Sequence, residues 1–172
     1  MIRTWIHICV YFVVFVLLQV LVMNSIHLFH IATTFIYIYL IFKLPVDLSR
    51  SIVIFVSFFL GLTVDVFSDT FGMHAAACSF LGFIRQPLLE RFVNLRDIPE
   101  GSVPSFRLFG YVGFIRFTIL LVVLHHVLFF IVEAFTFFQP LSMLIRMVLS
   151  ILLSCVLILI IEAFHPEKKE MK

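Results

Sequence analysis

Two carboxylates interrupt an otherwise oily run. The stretch FFLGLTVDVFSDTFGMHAA, residues 58–76, carries Asp65 and Asp69 beside Gly61 and Gly72. An ionised side chain at membrane depth is costly, so it normally faces the interior of a helix bundle and finds a partner there. Arg146 and Glu133 lie at a similar depth to Asp65 when the chain is laid out as helices. Arg146 is therefore expected to pair with Asp65 or with Glu133, unless its long stem lets it snorkel to the surface. Asp69 reads as a turn residue or as the N-cap of the next helix, where a carboxylate meets free N–H groups. Gly72 would give the backbone room at that corner. His125 and His126 fall in the middle of a long apolar run and are placed to hydrogen-bond Ser150 or Ser154, which are four residues apart. A proton relay or a ligand contact built on them would ask for further ionisable groups at that depth, and none shows in the sequence. Gln19 and Asn24 read as interfacial.

The elements that must hold these groups follow from composition. The chain has 172 residues, is 63% hydrophobic and only 13% charged. A soluble domain is nearer half apolar and about a quarter charged, and one of this size has too much surface to hide the surplus. The solvent is therefore a bilayer, in which backbone groups must be satisfied internally, and the long apolar runs are expected to be helices. Six runs qualify as spans: 5–23, 26–42, 49–67, 71–88, 110–135 and 141–164. The fold class expected is all-α, a single polytopic membrane domain over 1–172 with six transmembrane helices. The first run is too long for the apolar part of a cleavable signal peptide.

Alternating six spans puts eleven of the twelve Lys and Arg residues on one side, the exception being Arg146. The positive-inside rule then places both termini in the cytoplasm. The arginine-rich connector ERFVNLRDIPEGSVPSFRLF, residues 90–109, would face the cytoplasm. There its basic residues could attract anionic lipid at on the order of 1 kcal/mol each, or contact a cytoskeletal partner. The net charge of +2 gives no reason to expect nucleic acid. Cys9, Cys78 and Cys155 have no metal-ligand spacing and read as thiols inside apolar runs. No nucleotide-binding, metalloprotease or nucleophile-elbow motif occurs, so neither an enzyme nor a cofactor is expected.

Ser57, Gly61 and Asp65 recur every four residues and share one helix face. Gly72, Ala75, Ala76, Ser79 and Gly82 make a second small-residue stripe on the next helix. Such stripes let helices approach closely in lipid.

Residues 58–84, FFLGLTVDVFSDTFGMHAAACSFLGFI, resemble the signature of the MreD family of rod shape-determining membrane proteins. That pattern pairs Gly-Leu and Asp with a later Phe/Leu-Gly and Ala, and here Gly61, Leu62, Asp65, Phe71, Gly72 and Ala75 match it. Asp69 stands where the family often has a small residue. The resemblance implies a non-catalytic scaffold of the bacterial inner membrane, organising peptidoglycan synthesis during elongation and so maintaining cell shape. Implied partners are an MreC-like bitopic membrane protein, an MreB-like filament, and a RodA-like polymerase with its transpeptidase. The family's fold is similar to the membrane substrate-binding subunits of energy-coupling-factor vitamin transporters, which supplies an alternative function. Against that alternative, the first helix has no Ala-x-x-x-Ala docking face. A channel would rest on His125 and His126 alone.

Overall fold

The computed structural model describes residues 2–23, 32–94, 98–134 and 140–164, with side chains from Trp5 onward. These form six helices in the order α1 (Ile2–Leu17), α2 (Tyr39–Phe42), α3 (Arg50–Ser68), α4 (Met73–Phe92), α5 (Phe106–Ala134) and α6 (Pro140–Phe164). The first continues as a wider π-helical turn over Leu18–Met23. No strand occurs among the described residues, so the chain is an all-helical polytopic membrane protein.

Four stretches are long and apolar enough to cross a membrane: Trp5–Met23, Arg50–Ser68, Phe106–Ala134 and Pro140–Phe164. They lie over the expected first, third, fifth and sixth spans. α4 stands at the place of the expected fourth span, but His74, Arg85, Gln86 and Arg91 dilute its apolar character, and it is not among the four.

Of the expected helix over 26–42, only the last four residues are helical among those described. Residues 24–31, which include Asn24, lie outside the described residues, and 33–36 have no regular secondary structure; the N–H groups of Thr33 and Phe35 reach Ser150 and Ser154, one helical turn apart, as in an extended stretch. A turn at Tyr37 and Ile38 leads into the four-residue α2. This strand-like path is threaded through the middle of the bundle, and Phe35 to Phe42 are all nearly inaccessible. Its course follows α6. Thr33 and Phe35 meet Ser150 and Ser154, while Tyr39 and Lys43 meet Glu162.

The side chains are sorted as lipid demands. Phe55, Val66, Phe67, Leu141 and Leu152 face outward. Ser57, Thr118, Ser150, Ser154 and Glu162 are buried between helices. α3 and α4 form an antiparallel pair whose closeness depends on small residues. A Cβ placed on Gly61 would lie 2.4 Å from the carbonyl oxygen of His74 and 2.7 Å from Cα of Ala75. One placed on Gly82 would lie 2.7 Å from Ser57 Oγ. The predicted face of Ser57, Gly61 and Asp65 thus meets α4 directly. Ala76, assigned to the α4 stripe, points away from this seam and is exposed.

Gly61→Val should force the two backbones apart and lower stability by about 1–3 kcal/mol, the usual range for overpacking. Leu62→Val, at an exposed neighbour, should leave it nearly unchanged. Thermal unfolding of both variants in detergent micelles measures the difference.

Candidate functional site

At the α3–α4 corner the first turn of α4 presents N–H groups with no intrahelical acceptor, as every helix start does. The carboxylate of Asp65, on the preceding helix, answers them. The N–H of His74 donates to Oδ1 at 3.0 Å and that of Ala75 donates to Oδ2 at 2.8 Å. The Thr70 hydroxyl adds a third bond to Oδ1 at 2.6 Å. Asp65 is only 3% exposed, so its charge is offset by these donors and by the positive end of α4.

Two expectations change here. Asp69 is a turn residue, one of its two expected places, and does not cap α4. It is the C-cap of α3, in the left-handed conformation (φ 53°, ψ 42°), which Asp tolerates better than most residues. Its place at the start of α4 is already taken by Asp65 and by Gly72 as N-cap. Gly72, for its part, is needed for its positive φ of 79° and not for space, because nothing lies within 4 Å of where its Cβ would be.

Arg146 meets Glu133, with Nη2 donating to Oε1 at 3.1 Å, and its guanidinium lies 5.8 Å from the Phe130 ring centre. Asp65 takes no part in either ion pair among the described residues. Arg146 remains 40% exposed, so the pair is a rim contact and contributes modestly.

The bundle centre is where the two histidines sit, and both are inaccessible. His126 Nδ1 donates to the carbonyl of Val122 at 2.8 Å, which leaves Nε2 to accept from Ser154 Oγ at 3.2 Å. Ser154 in turn accepts the N–H of Phe35 at 3.1 Å, and Ser150 accepts that of Thr33 at 3.0 Å. His125 Nε2 lies 2.9 Å from the Tyr37 hydroxyl, which also touches His74 Nδ1 at 2.7 Å. Further ionisable groups at this depth therefore exist. Sequence reading missed Tyr37 and His74, which fell inside the expected second and fourth spans with nothing in their spacing to link them. The ring of Phe35 packs against His74, His125 and His126 at 5.0–5.5 Å between centres.

Gln19 is not interfacial. It is fully buried and clasps the threaded segment from both sides, donating to the carbonyl of Thr34 and accepting the N–H of Ile36, each at 2.9 Å. Lys43 and Arg85, counted as loop cations when topology is read from charge, are also interior. Lys43 Nζ pairs with Glu162 at 2.9 Å and donates to the Pro104 carbonyl at 2.9 Å, while the Tyr39 hydroxyl donates to Glu162 at 2.6 Å. Arg85, with no exposed surface, donates from Nη2 to the carbonyls of Phe42 and Leu44, past the end of α2. A cation suits helix-end carbonyls.

Among the described residues no set of three His, Cys, Asp or Glu side chains is arranged to hold a metal ion. The three cysteines are free thiols. What the polar groups can do chemically is brace backbone and share protons. No family model, curated protein or solved structure matches this chain.

Asp65→Ala leaves two buried N–H donors without an acceptor and should cost about 1–3 kcal/mol. Asp69→Gly, which keeps the left-handed turn, should cost far less. Glu162→Ala strands the buried Lys43 charge and should cost about 3–5 kcal/mol, most of it recovered in the double variant Lys43→Met/Glu162→Leu. Unfolding midpoints in one detergent rank all four, and equal losses for Asp65→Ala and Asp69→Gly would contradict the assignment of the cap.

Proposed function

We propose that the protein is a non-catalytic scaffold of the bacterial inner membrane that takes part in organising cell-wall synthesis during elongation. The observation that carries this reading is the Asp65 corner. The carboxylate most conspicuous in the sequence is spent on the start of α4, and Gly61 beneath it brings the two helices into backbone contact. Those are the same positions, Gly61, Asp65, Gly72 and Ala75, that carry the resemblance to the MreD family. A motif used to build a rigid turn suits a protein that presents a shaped surface to others.

Both termini would be cytoplasmic and the Asp65–Gly72 turn periplasmic, near an MreC-like bitopic partner. The connector between α4 and α5 would then face the cytoplasm, toward anionic lipid or an MreB-like filament. Its described part from residue 98 onward is tied to the α2–α3 connection by the N–H of Val46 donating to the Ser102 carbonyl at 2.9 Å and by that of Gly101 donating to Asp47 at 3.0 Å. The outward apolar faces of α1, α3 and α6 supply lateral surface for partner spans, including those of a RodA-like polymerase and its transpeptidase.

The alternative, a vitamin-binding transporter subunit, gains one point from the structure. Non-helical backbone at membrane depth often lines a substrate site. Here that backbone is packed against side chains on all sides, which favours the scaffold.

Crosslinking in native membranes followed by gentle purification separates the two. The scaffold should bring down a single-span partner through contacts that Asp65→Ala weakens several-fold, and should carry no small ligand. Recovery of a stoichiometric small molecule with no protein partner would overturn it.

A further inference from the structure

The Tyr37 hydroxyl sits between two imidazoles, 2.7 Å from His74 Nδ1 and 2.9 Å from His125 Nε2. A hydroxyl has one proton to give. It can donate to one ring only, so the other ring must donate to it. The two histidines are therefore locked into opposite roles, and exchanging those roles moves protons along the line without moving any heavy atom.

The surroundings of the two rings differ. His74 is the second residue of α4, and its own N–H is bonded to the Asp65 carboxylate, beside a turn whose Asp69 and Phe71 are exposed and whose Thr70 is half-buried. His125 lies deeper, beside His126 at 5.5 Å between ring centres, with Cys78 Sγ 3.8 Å from its Nε2. Its Nδ1 is buried without a hydrogen-bond partner. The titratable groups facing the node are thus Asp65 from α3, His74 and Cys78 from α4, and His125 and His126 from α5. α6 contributes the neutral Ser154 through His126. One acid faces the His74 end, and the His125 end is faced by another histidine.

We propose that Tyr37, His74 and His125 form a proton-holding site, in which one extra proton entering at the α3–α4 corner is shared between the two imidazoles through the Tyr37 hydroxyl, with Asp65 as counter-charge. With the proton on His74, both ring nitrogens of that residue carry hydrogen and Nδ1 donates to the Tyr37 oxygen. Tyr37 donates to the bare Nε2 of a His125 that is neutral and protonated at Nδ1. In transfer, the His74 Nδ1 proton passes to the Tyr37 oxygen as the Tyr37 proton passes to His125 Nε2. His74 becomes neutral, His125 becomes the imidazolium, and Tyr37 is unchanged. Attraction to Asp65 at one end and repulsion from any charge on His126 at the other give His74 the larger share of the proton and His125 the smaller. Because Tyr37 belongs to the threaded segment, the charge state of the node bears directly on how that segment is held. This inference is independent of the scaffold reading.

The test is nitrogen-15 NMR of histidine-labelled protein in lipid nanodiscs, followed from about pH 8 to about pH 4, a range that reaches below the ordinary histidine interval because burial disfavours the charged ring. His74 and His125 should respond together over one pH interval, while His126 keeps the pattern of a neutral ring protonated at Nδ1. Tyr37→Phe should uncouple them, so that His74 still responds and His125 no longer follows. Asp65→Asn, which keeps an acceptor oxygen at the corner, should reduce doubly protonated His74 at the acid end of that range several-fold. The wild-type titration decides the matter even if neither variant folds. Rings that stay neutral throughout, or that respond over separate intervals, would overturn the proposal, and an unchanged Asp65→Asn would overturn the role given to Asp65.

Discussion

A backbone amide inside a bilayer has no water to bond with, and a helix is the usual way to satisfy it. Residues 33–36 of this chain have no regular secondary structure at the centre of a helical bundle, so each of their polar groups needs an acceptor or donor from elsewhere. Side chains provide them: Gln19 from the end of α1, and Ser150 and Ser154 from α6. An amide or hydroxyl buried without such a partner costs several kcal/mol in an apolar medium. That requirement explains why a span as greasy as α6 keeps two serines on one face, and why a glutamine lies fully buried in the π-helical turn that continues α1.

The same logic orders the rest of the interior. At one end of the threaded segment, Ser154 ties it to His126 and Tyr37 ties it to His74 and His125. At the other, the Lys43–Glu162 pair, Tyr39 and the Pro104 carbonyl close it off, and Arg85 takes up the carbonyls that follow α2. The α3–α4 corner is a separate solution to a related need. There a helix start is capped by a side chain from the previous helix, over a glycine that removes the distance between them. Polar residues in this protein therefore map the places where regular helix stops.

How much of this could be read from the sequence depends on whether a run announced its own partner. α3, α5 and α6 were legible because each lies on a predominantly apolar run of spanning length. The seam of Ser57, Gly61 and Asp65 was legible because a four-residue repeat fixes a helix face. Asp65 itself was recognised as needing an account, but its partners are N–H groups, which no residue type advertises. The second span was misread because length and apolarity do not distinguish a helix from a buried extended segment. The β-branched and aromatic residues of ATTFIYIYLIF carried the available hint. Lys43 and Arg85 were misread for a different reason. Counting charges by side assumes that they lie in loops, and burial against helix-end carbonyls breaks that assumption.

The dependence of residues 33–39 on α6 also has a bearing on biogenesis. When the ribosome has delivered the first third of the chain, Ser150, Ser154 and Glu162 do not yet exist, so of its side-chain braces the early segment has Gln19 but none of those from α6. It must wait at the translocon or in a provisional helical form until the last helix enters the lipid, and only then can it be drawn into the middle of the bundle. Maturation of this protein is thus tied to completion of synthesis, and chains cut short before the final helix would expose unmet backbone to the proteases that police the membrane.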